Sequence, residues 1–275
     1  MHRITVEQIL QKKSRGEKIA MLTAYDYPTG QLIDSCGIDI ILVGDSLANV
    51  VLGLEKTKDV GMKEMLHHAK AVGRAVKKAM VVGDMPFEAY QPDPAVAVKN
   101  ARAFIEAGCD AIKLEWFDGC LQVARDCVNA GLAVMGHVGL TPQTAERLGG
   151  LIVQGKDAAS ARKIIDQAKG FQDAGCFSIV LECIPDKVAE IITQKLNIPT
   201  IGIGAGVNCD GQVLVLHDLL GLFKGYHPKF VKTYVRLDEA ITKAVTQYRD
   251  DVLKGTFPAT EHTFHMNPEE AKKLH

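Results

Sequence analysis

Hydrophobic and polar positions along the chain fall into two alternating rhythms. Short, near-continuously apolar runs recur at 19–23, 40–44, 80–83, 111–115, 133–137, 178–182, 200–204 and 213–216. Between them lie stretches whose apolar residues repeat every three or four positions, such as 62–78, 94–107, 158–174 and 186–195. The first pattern predicts buried strands and the second amphipathic helices. Strands alternating with helices, without two-residue hairpin turns, argue for parallel βαβ units. Ala107-Gly108, Ala130-Gly131 and Ala174-Gly175 each set a glycine just past a helix, where a left-handed cap is needed.

Eight strands is the number that closes a barrel, and about 250 residues is the usual size of one. The fold class predicted is therefore α/β, a single (β/α)8 TIM barrel over 1–275. A short amphipathic helix over 5–13, with Thr5 as N-cap, precedes it. A last helix over 231–253 and a polar tail from about 255 follow it. No linker or low-complexity stretch divides the chain.

Composition narrows the function. The 275 residues are 47% hydrophobic, ample for a large core, and 32 basic side chains balance 33 acidic ones. A formal net charge of −1 advertises neither a nucleic-acid nor a membrane partner, so a small-molecule ligand is expected. No apolar run approaches the roughly 20 residues that cross a bilayer. The start, Met1-His-Arg-Ile-Thr, lacks the apolar core of a signal peptide, and the expected location is cytoplasmic. The seven cysteines form no CxxC pair and read as reduced, buried small hydrophobes. Cys183 is set apart by following Glu182 directly.

The strand-like runs share an ending. Ile40-Ile-Leu-Val-Gly44 closes on Asp45, Met80-Val-Val-Gly83 on Asp84, Ala111-Ile-Lys-Leu114 on Glu115, Ala133-Val-Met-Gly136 on His137, and Ser178-Ile-Val-Leu181 on Glu182. A buried parallel strand has no structural use for an acid at its end. In α/β barrels such ends converge on one active site. Unpaired carboxylates there would repel one another, which a hard cation relieves; Mg²⁺ takes one or two carboxylates directly and keeps several waters. Asp45, Asp84 and Glu115 are thus candidate metal ligands, one of them through water.

Lys113, two residues before Glu115, faces the same side of its strand. It could form a Schiff base or supply a fixed positive charge to a substrate carboxylate; acids nearby keep it charged and favour the second role. Ser46 begins a βα loop and can donate to an anion. His137 could donate to a carboxylate or oxyanion, or serve as a hydrogen-bonded core histidine. Glu182, two strands away from the three acids, could stand opposite the metal as a general base. Gly202-Ile-Gly204-Ala-Gly206 misses the GxGxxG spacing and reads as backbone approaching a ligand or as tight packing. His67 and His68, adjacent on a helix, do not face each other, which argues against a joint metal site.

Taken together, Thr23-Ala-Tyr-Asp-Tyr27, Val43-Gly-Asp-Ser-Leu47, Asp84-Met-Pro-Phe87, Lys113-Leu-Glu115, Gly136-His-Val-Gly-Leu-Thr-Pro-Gln143, Leu181-Glu-Cys-Ile-Pro185, Ile201-Gly-Ile-Gly-Ala-Gly206 and Asp210-Gly-Gln212 resemble the ketopantoate hydroxymethyltransferase family. The ordered set spans about 5–265. The resemblance implies a barrel of the phosphoenolpyruvate mutase and isocitrate lyase superfamily. It also implies Mg²⁺, one per subunit, and transfer of a one-carbon unit from 5,10-methylenetetrahydrofolate to 3-methyl-2-oxobutanoate through a Mg-stabilised enolate. Carried over by position, Asp45 and Asp84 would bind the metal, with Glu115 supporting it through water. Ser46, Asp84, Lys113 and His137 would hold the keto acid, and Glu182 would take the C3 proton. A homo-oligomer, typically a decamer, is implied as well. The chain departs from the family's usual pattern at Ala48-Asn49 and at Trp116-Phe117.

Two competing readings are a Mg²⁺-dependent carbon–carbon lyase or mutase acting on another 2-oxo acid, and a catalytically silent barrel. The separate base Glu182 argues against the first. The presence of Asp45, Asp84, Lys113 and Glu182 together argues against the second.

Overall fold

The computed structural model describes residues 2–91, 93–222, 225 and 228–274. The strands are β1 (Ile19–Thr23), β2 (Ile40–Val43), β3 (Met80–Asp84), β4 (Ala111–Glu115), β5 (Val134–Gly139), β6 (Ser178–Glu182), β7 (Thr200–Ile203) and β8 (Gly211–Leu214). All pair in parallel with their sequence neighbours, and β8 returns to β1, closing the barrel. The helices are α1 (Val6–Ser14), α2 (Tyr27–Ser35), α3 (Leu47–Val50), α4 (Met62–Ala75), α5 (Pro94–Glu106), α6 (Cys120–Asn129), α7 (Ala158–Asp173), α8 (Asp186–Lys195), α9 (Leu216–Leu219), α10 (Leu237–Leu253) and α11 (Pro268–Ala271).

Alternation along each strand divides the core in two. Ile40, Leu42, Met80, Val82, Ala111, Met135, Val180, Ile201 and Val213 fill the barrel interior. Their neighbours in sequence, such as Ile41, Val81, Ile112, Val134 and Ile179, pack outward against the helices. This is why the strands read as continuously apolar: both faces are buried. On the outer face Gly136 is required, because a Cβ there would lie 2.6 Å from the ring of Phe171 on α7.

The opening helix stoppers one end of the barrel. The Thr5 hydroxyl accepts from Gln8 N while Gln8 Oε1 accepts from Thr5 N, a capping box worth about 1 kcal/mol. The helix then sends fully buried Ile9 into the interior cluster. What stays open is the carboxyl end of the strands.

Several boundaries differ from the sequence reading: α4 ends at Ala75 rather than 78, and β5 runs over Val134–Gly139 rather than 133–137. The eighth strand is Gly211–Leu214 rather than 213–216, because Leu216 already starts α9 and gives its N–H to Thr23 Oγ1 at 2.9 Å. The last helix begins at Leu237, not 231, and the residues from 231 to 236 form no regular element. Among the described residues, no helix is long and apolar enough to cross a membrane.

Candidate active site

Strand register brings the chemistry together. Asp84 on β3 is the register partner of Lys113 on β4, and Glu115 on β4 is the partner of His137 on β5. All four face the interior, Asp84, Lys113 and His137 two residues beyond the apolar layer and Glu115 four, and all are buried. With Asp45, Ser46 and Glu182 they line a cavity of about 530 Å³ at the carboxyl ends of the strands. The sequence-predicted site residues thus converge without exception.

Lys113 Nζ donates to Asp84 Oδ1 at 2.5 Å and stands 4.0 Å from Glu115 Oε1. Asp84 Oδ2 accepts from Asp45 N at 3.3 Å, which sets the two aspartates side by side. Burial raises the Asp84 carboxyl above the ordinary carboxylate range; Lys113 opposes this, while Asp45 and Glu115 add to it. Burial works against the Lys113 ammonium, yet Asp84, Glu115 and Asp45 outweigh it and raise its pKa. The carboxylates around Lys113 thus favour the charged ammonium over a Schiff-base amine.

Asp45 Oδ2 is buried and has no hydrogen-bond partner among the described residues. Glu115, by contrast, is committed. Its Oε2 accepts from Gln143 N at 3.1 Å, and its Oε1 lies 3.3 Å from His137 Nδ1. Among the described residues, no three His, Cys, Asp or Glu side chains are grouped so that they could hold a metal ion by themselves. Two adjacent aspartates, one with an orphaned oxygen, are the donors on offer.

His137 Nε2 lies 3.2 Å from Glu182 Oε2, so the imidazole stands between two carboxylates, though neither contact has hydrogen-bond alignment. Burial and Lys113 disfavour its protonation, but Glu115 and Glu182 prevail and raise its pKa to about 9.

The Glu182 backbone is held tightly. Its carbonyl accepts from Leu140 N at 2.9 Å, and Cys183 after it is forced to φ 47° while donating to Ile203 O at 2.9 Å. Positive φ at a residue with a Cβ stores roughly 1–2 kcal/mol and tends to sit at functional sites. Burial pushes the Cys183 thiol up to about 12, which leaves it no role as a thiolate. Of the other cysteines, Cys109, Cys120, Cys127, Cys176 and Cys209 are buried, as the sequence reading expects, whereas Cys36 is exposed.

Three supporting side chains escape the sequence reading. Tyr25, fully enclosed, shares a 2.8 Å hydrogen bond with Ser46 Oγ. Tyr90 O–H donates to Gln143 Oε1 at 3.3 Å and accepts from Glu115 N at 3.3 Å. Gln143 Nε2 in turn donates to Met85 O at 3.2 Å. Tyr25 and Gln143 stand inside motifs already singled out; for Tyr90 the one available signal is its place in the loop after Asp84. Trp116 and Phe117 pack behind the strand end, Trp116 edge-on to Phe171 and Phe117 against Phe87 and Tyr90.

A parallel eight-stranded barrel with buried carboxylates, a lysine and an imidazole at its carboxyl mouth defines an enzyme of the (β/α)8 class. Its architecture is shared with phosphonopyruvate hydrolase (TM-score 0.63, 11% identity, covering 98% of this chain and 95% of that one). It is shared likewise with 2,3-dimethylmalate lyase, a member of the PEP mutase/isocitrate lyase superfamily (TM-score 0.58, 12% identity, 98% and 97% covered). At such identities the likeness is one of fold.

Sequence carries the assignment further. The chain matches the family described as ketopantoate hydroxymethyltransferase over residues 3–260. It is 50% identical over 276 residues to the 3-methyl-2-oxobutanoate hydroxymethyltransferase of Syntrophomonas wolfei, covering all of both chains. It is 54% identical over 263 residues to the protein of that name from Moorella thermoacetica, covering 95% of this chain and 98% of that one. The chain belongs to the ketopantoate hydroxymethyltransferase family and is a transferase.

Proposed function

We propose that this chain converts 3-methyl-2-oxobutanoate to 2-dehydropantoate, taking the one-carbon unit from 5,10-methylenetetrahydrofolate while water supplies the hydroxyl oxygen. Half-identity over the full length to proteins named for that substrate supports the reading. The observation that carries it is the division of one cavity into two sides. Asp45, Asp84 and Lys113 make a charged anchor, and Glu182 with His137 makes a base.

The residues fit a Mg²⁺ ion. Asp45 and Asp84 would hold it, since two carboxylates match what Mg²⁺ usually takes from protein, and the partnerless Asp45 Oδ2 wants a cation. Glu115, already engaged by Gln143 and His137, would act on it through water. When bound, the ion supplies a Lewis acid for the substrate's keto oxygen.

Lys113, steadied by Asp84, turns its ammonium toward the substrate carboxylate. Ser46, oriented by Tyr25, donates to the same group. Glu182 takes the proton from C3, and His137 fixes the carboxylate that receives it. The C3 carbon then bonds to the methylene carbon as the folate nitrogen leaves with the bonding pair. Most of the acceleration comes from positioning and fixed charge.

We further propose a cytoplasmic homo-oligomer, a decamer by analogy with the family. Supporting assembly, α10 buries none of its residues, and Ile241, Val245, Tyr248 and Val252 lie exposed at helical spacing along it. The deciding experiment for the reaction is incubation of purified protein with 3-methyl-2-oxobutanoate, methylenetetrahydrofolate and Mg²⁺, with mass-spectrometric detection of 2-dehydropantoate. Absence of that product overturns the reading.

A further inference from the structure

The mouth of the cavity carries a charge cluster that the chemistry at its floor does not use. Glu146, in the tight helical turn Pro142–Leu148 after β5, receives Lys56 Nζ on Oε1 at 2.7 Å and Lys58 Nζ on Oε2 at 2.8 Å. All three side chains line the cavity. Between the lysines, Thr57 lines it too, and its Oγ1 is buried without a hydrogen-bond partner among the described residues. Leu151 and Val153, 67% and 41% exposed, add apolar surface at the same mouth.

A carboxylate gripped by two ammonium groups beside an orphaned hydroxyl is a carboxylate site filled by the chain's own side chain. The site lies on the way in, while the keto acid's carboxylate has its own partner in Lys113 at the floor. A second ligand must therefore bring the matching group, and it needs an apolar part to cover Leu151 and Val153. A reduced folate has both, an aromatic pterin and aminobenzoyl body and a glutamate tail.

We propose that Lys56, Thr57 and Lys58 seat a carboxylate of the donor's glutamate tail, with Glu146 as an internal stand-in that the tail displaces. The proposal rests on the reading of the donor as methylenetetrahydrofolate. Removing the lysines weakens tail binding. Removing the charge of Glu146 frees the lysines and strengthens it. A latch that merely tied the two loops together would respond in one direction to both changes.

The test compares three donors that differ in the tail: methylenetetrahydropteroate, which has none, methylenetetrahydrofolate, and its triglutamate. The readout is the ratio of KM for the tail-less donor to KM for the triglutamate. In the unaltered enzyme this ratio exceeds one and falls as salt is added, because exposed charges are screened. Lys56→Ala with Lys58→Ala lowers it by about three- to tenfold, the range set by two exposed charge contacts. Glu146→Gln raises it. A ratio of one in the unaltered enzyme, or movement of both variants in the same direction, overturns the proposal. Turnover of the tail-less donor reports the reaction itself, so the two failures are separable. Should no donor react, calorimetric binding of tetrahydropteroate and triglutamyl tetrahydrofolate to the same three proteins makes the same comparison, with a ratio of dissociation constants in place of the KM ratio and the same outcomes supporting or overturning the proposal.

Discussion

His137 Nε2 lies 3.2 Å from Glu182 Oε2, so the imidazole at the end of β5 stands beside the carboxylate at the end of β6. Glu182→Gln should abolish deuterium exchange at C3 of 3-methyl-2-oxobutanoate measured by NMR without folate, while calorimetric Mg²⁺ binding persists. His137→Asn should slow the exchange by about 10²-fold, the lower range for a misplaced general base. Exchange at the normal rate in the Gln variant would assign the proton to another group.

Lys113 and Asp84 form a buried ion pair with both side chains almost entirely shielded. Lys113→Met leaves Asp84 and its acidic neighbours uncompensated, and loss of one partner of a buried pair costs about 3–5 kcal/mol. Urea unfolding should show that loss, and adding Asp84→Asn should recover part of it. Neither variant should turn over the keto acid, so stability and chemistry separate in the double variant.

Gly139 sits at φ 96°, and a Cβ there would run into the Glu182 carbonyl oxygen. Gly139→Ala should lower stability by about 1–2 kcal/mol from backbone strain alone. The push on Glu182 should cut C3 exchange at least tenfold, a loss roughly tracking the precision that positioned bases demand. Thermal unfolding and the exchange assay measure the two effects on one sample.

Asp34, at the end of α2, accepts hydrogen bonds from the backbone N–H groups of Lys77, Lys78 and Ala79 at 2.8–3.0 Å. Burial alone would raise its carboxyl; those three donors outweigh it and hold the pKa below the ordinary value. A depressed folded pKa means the stabilisation is complete above the unfolded value of about 4 and is lost as pH falls through the folded one. Asp34→Ala should therefore cost about 2–4 kcal/mol at pH 7, from orphaned N–H groups and lost charged hydrogen bonds. Denaturant titrations at pH 7 and near pH 3 should show the difference from the unaltered protein shrinking in acid.

The apolar stripe of α10 gives a test of assembly. Val245 and Tyr248 are 60% and 58% exposed, too much for a helix that ends its own folding there. Val245→Glu with Tyr248→Glu should reduce the particle mass measured by light scattering while leaving the circular dichroism of the barrel intact. An unchanged mass would remove this face from the assembly.

Much of the barrel is legible in the sequence because its strands are buried on both faces. Continuous apolar runs such as 178–182 mark such strands locally, and a charged residue at the end of one has few structural uses. The same logic puts Lys113 and Glu115 on one face, since side chains alternate strictly. Where local signals compete, pattern and structure part. The apolar run Val213-Leu-Val-Leu216 points to an eighth strand two residues too late, whereas Gly211 and Gln212 pair with β1 and β7. The helix expected over 231–253 starts six residues later, at Leu237, because the pattern alone does not mark where α10 begins.

By itself, then, the amino-acid order determined which side chains stand at the carboxyl ends of strands and which share a face, because pleat and apolar run are properties of a few consecutive residues. Tertiary structure decided who meets whom. Register pairs Asp84 with Lys113 and Glu115 with His137, and the closed barrel carries Glu182 to the far side of that imidazole. It also turned Glu115 toward Gln143, while Asp45 Oδ2 has no hydrogen-bond partner among the described residues. Such pairings depend on strand stagger and closure over dozens of residues, which no local pattern encodes.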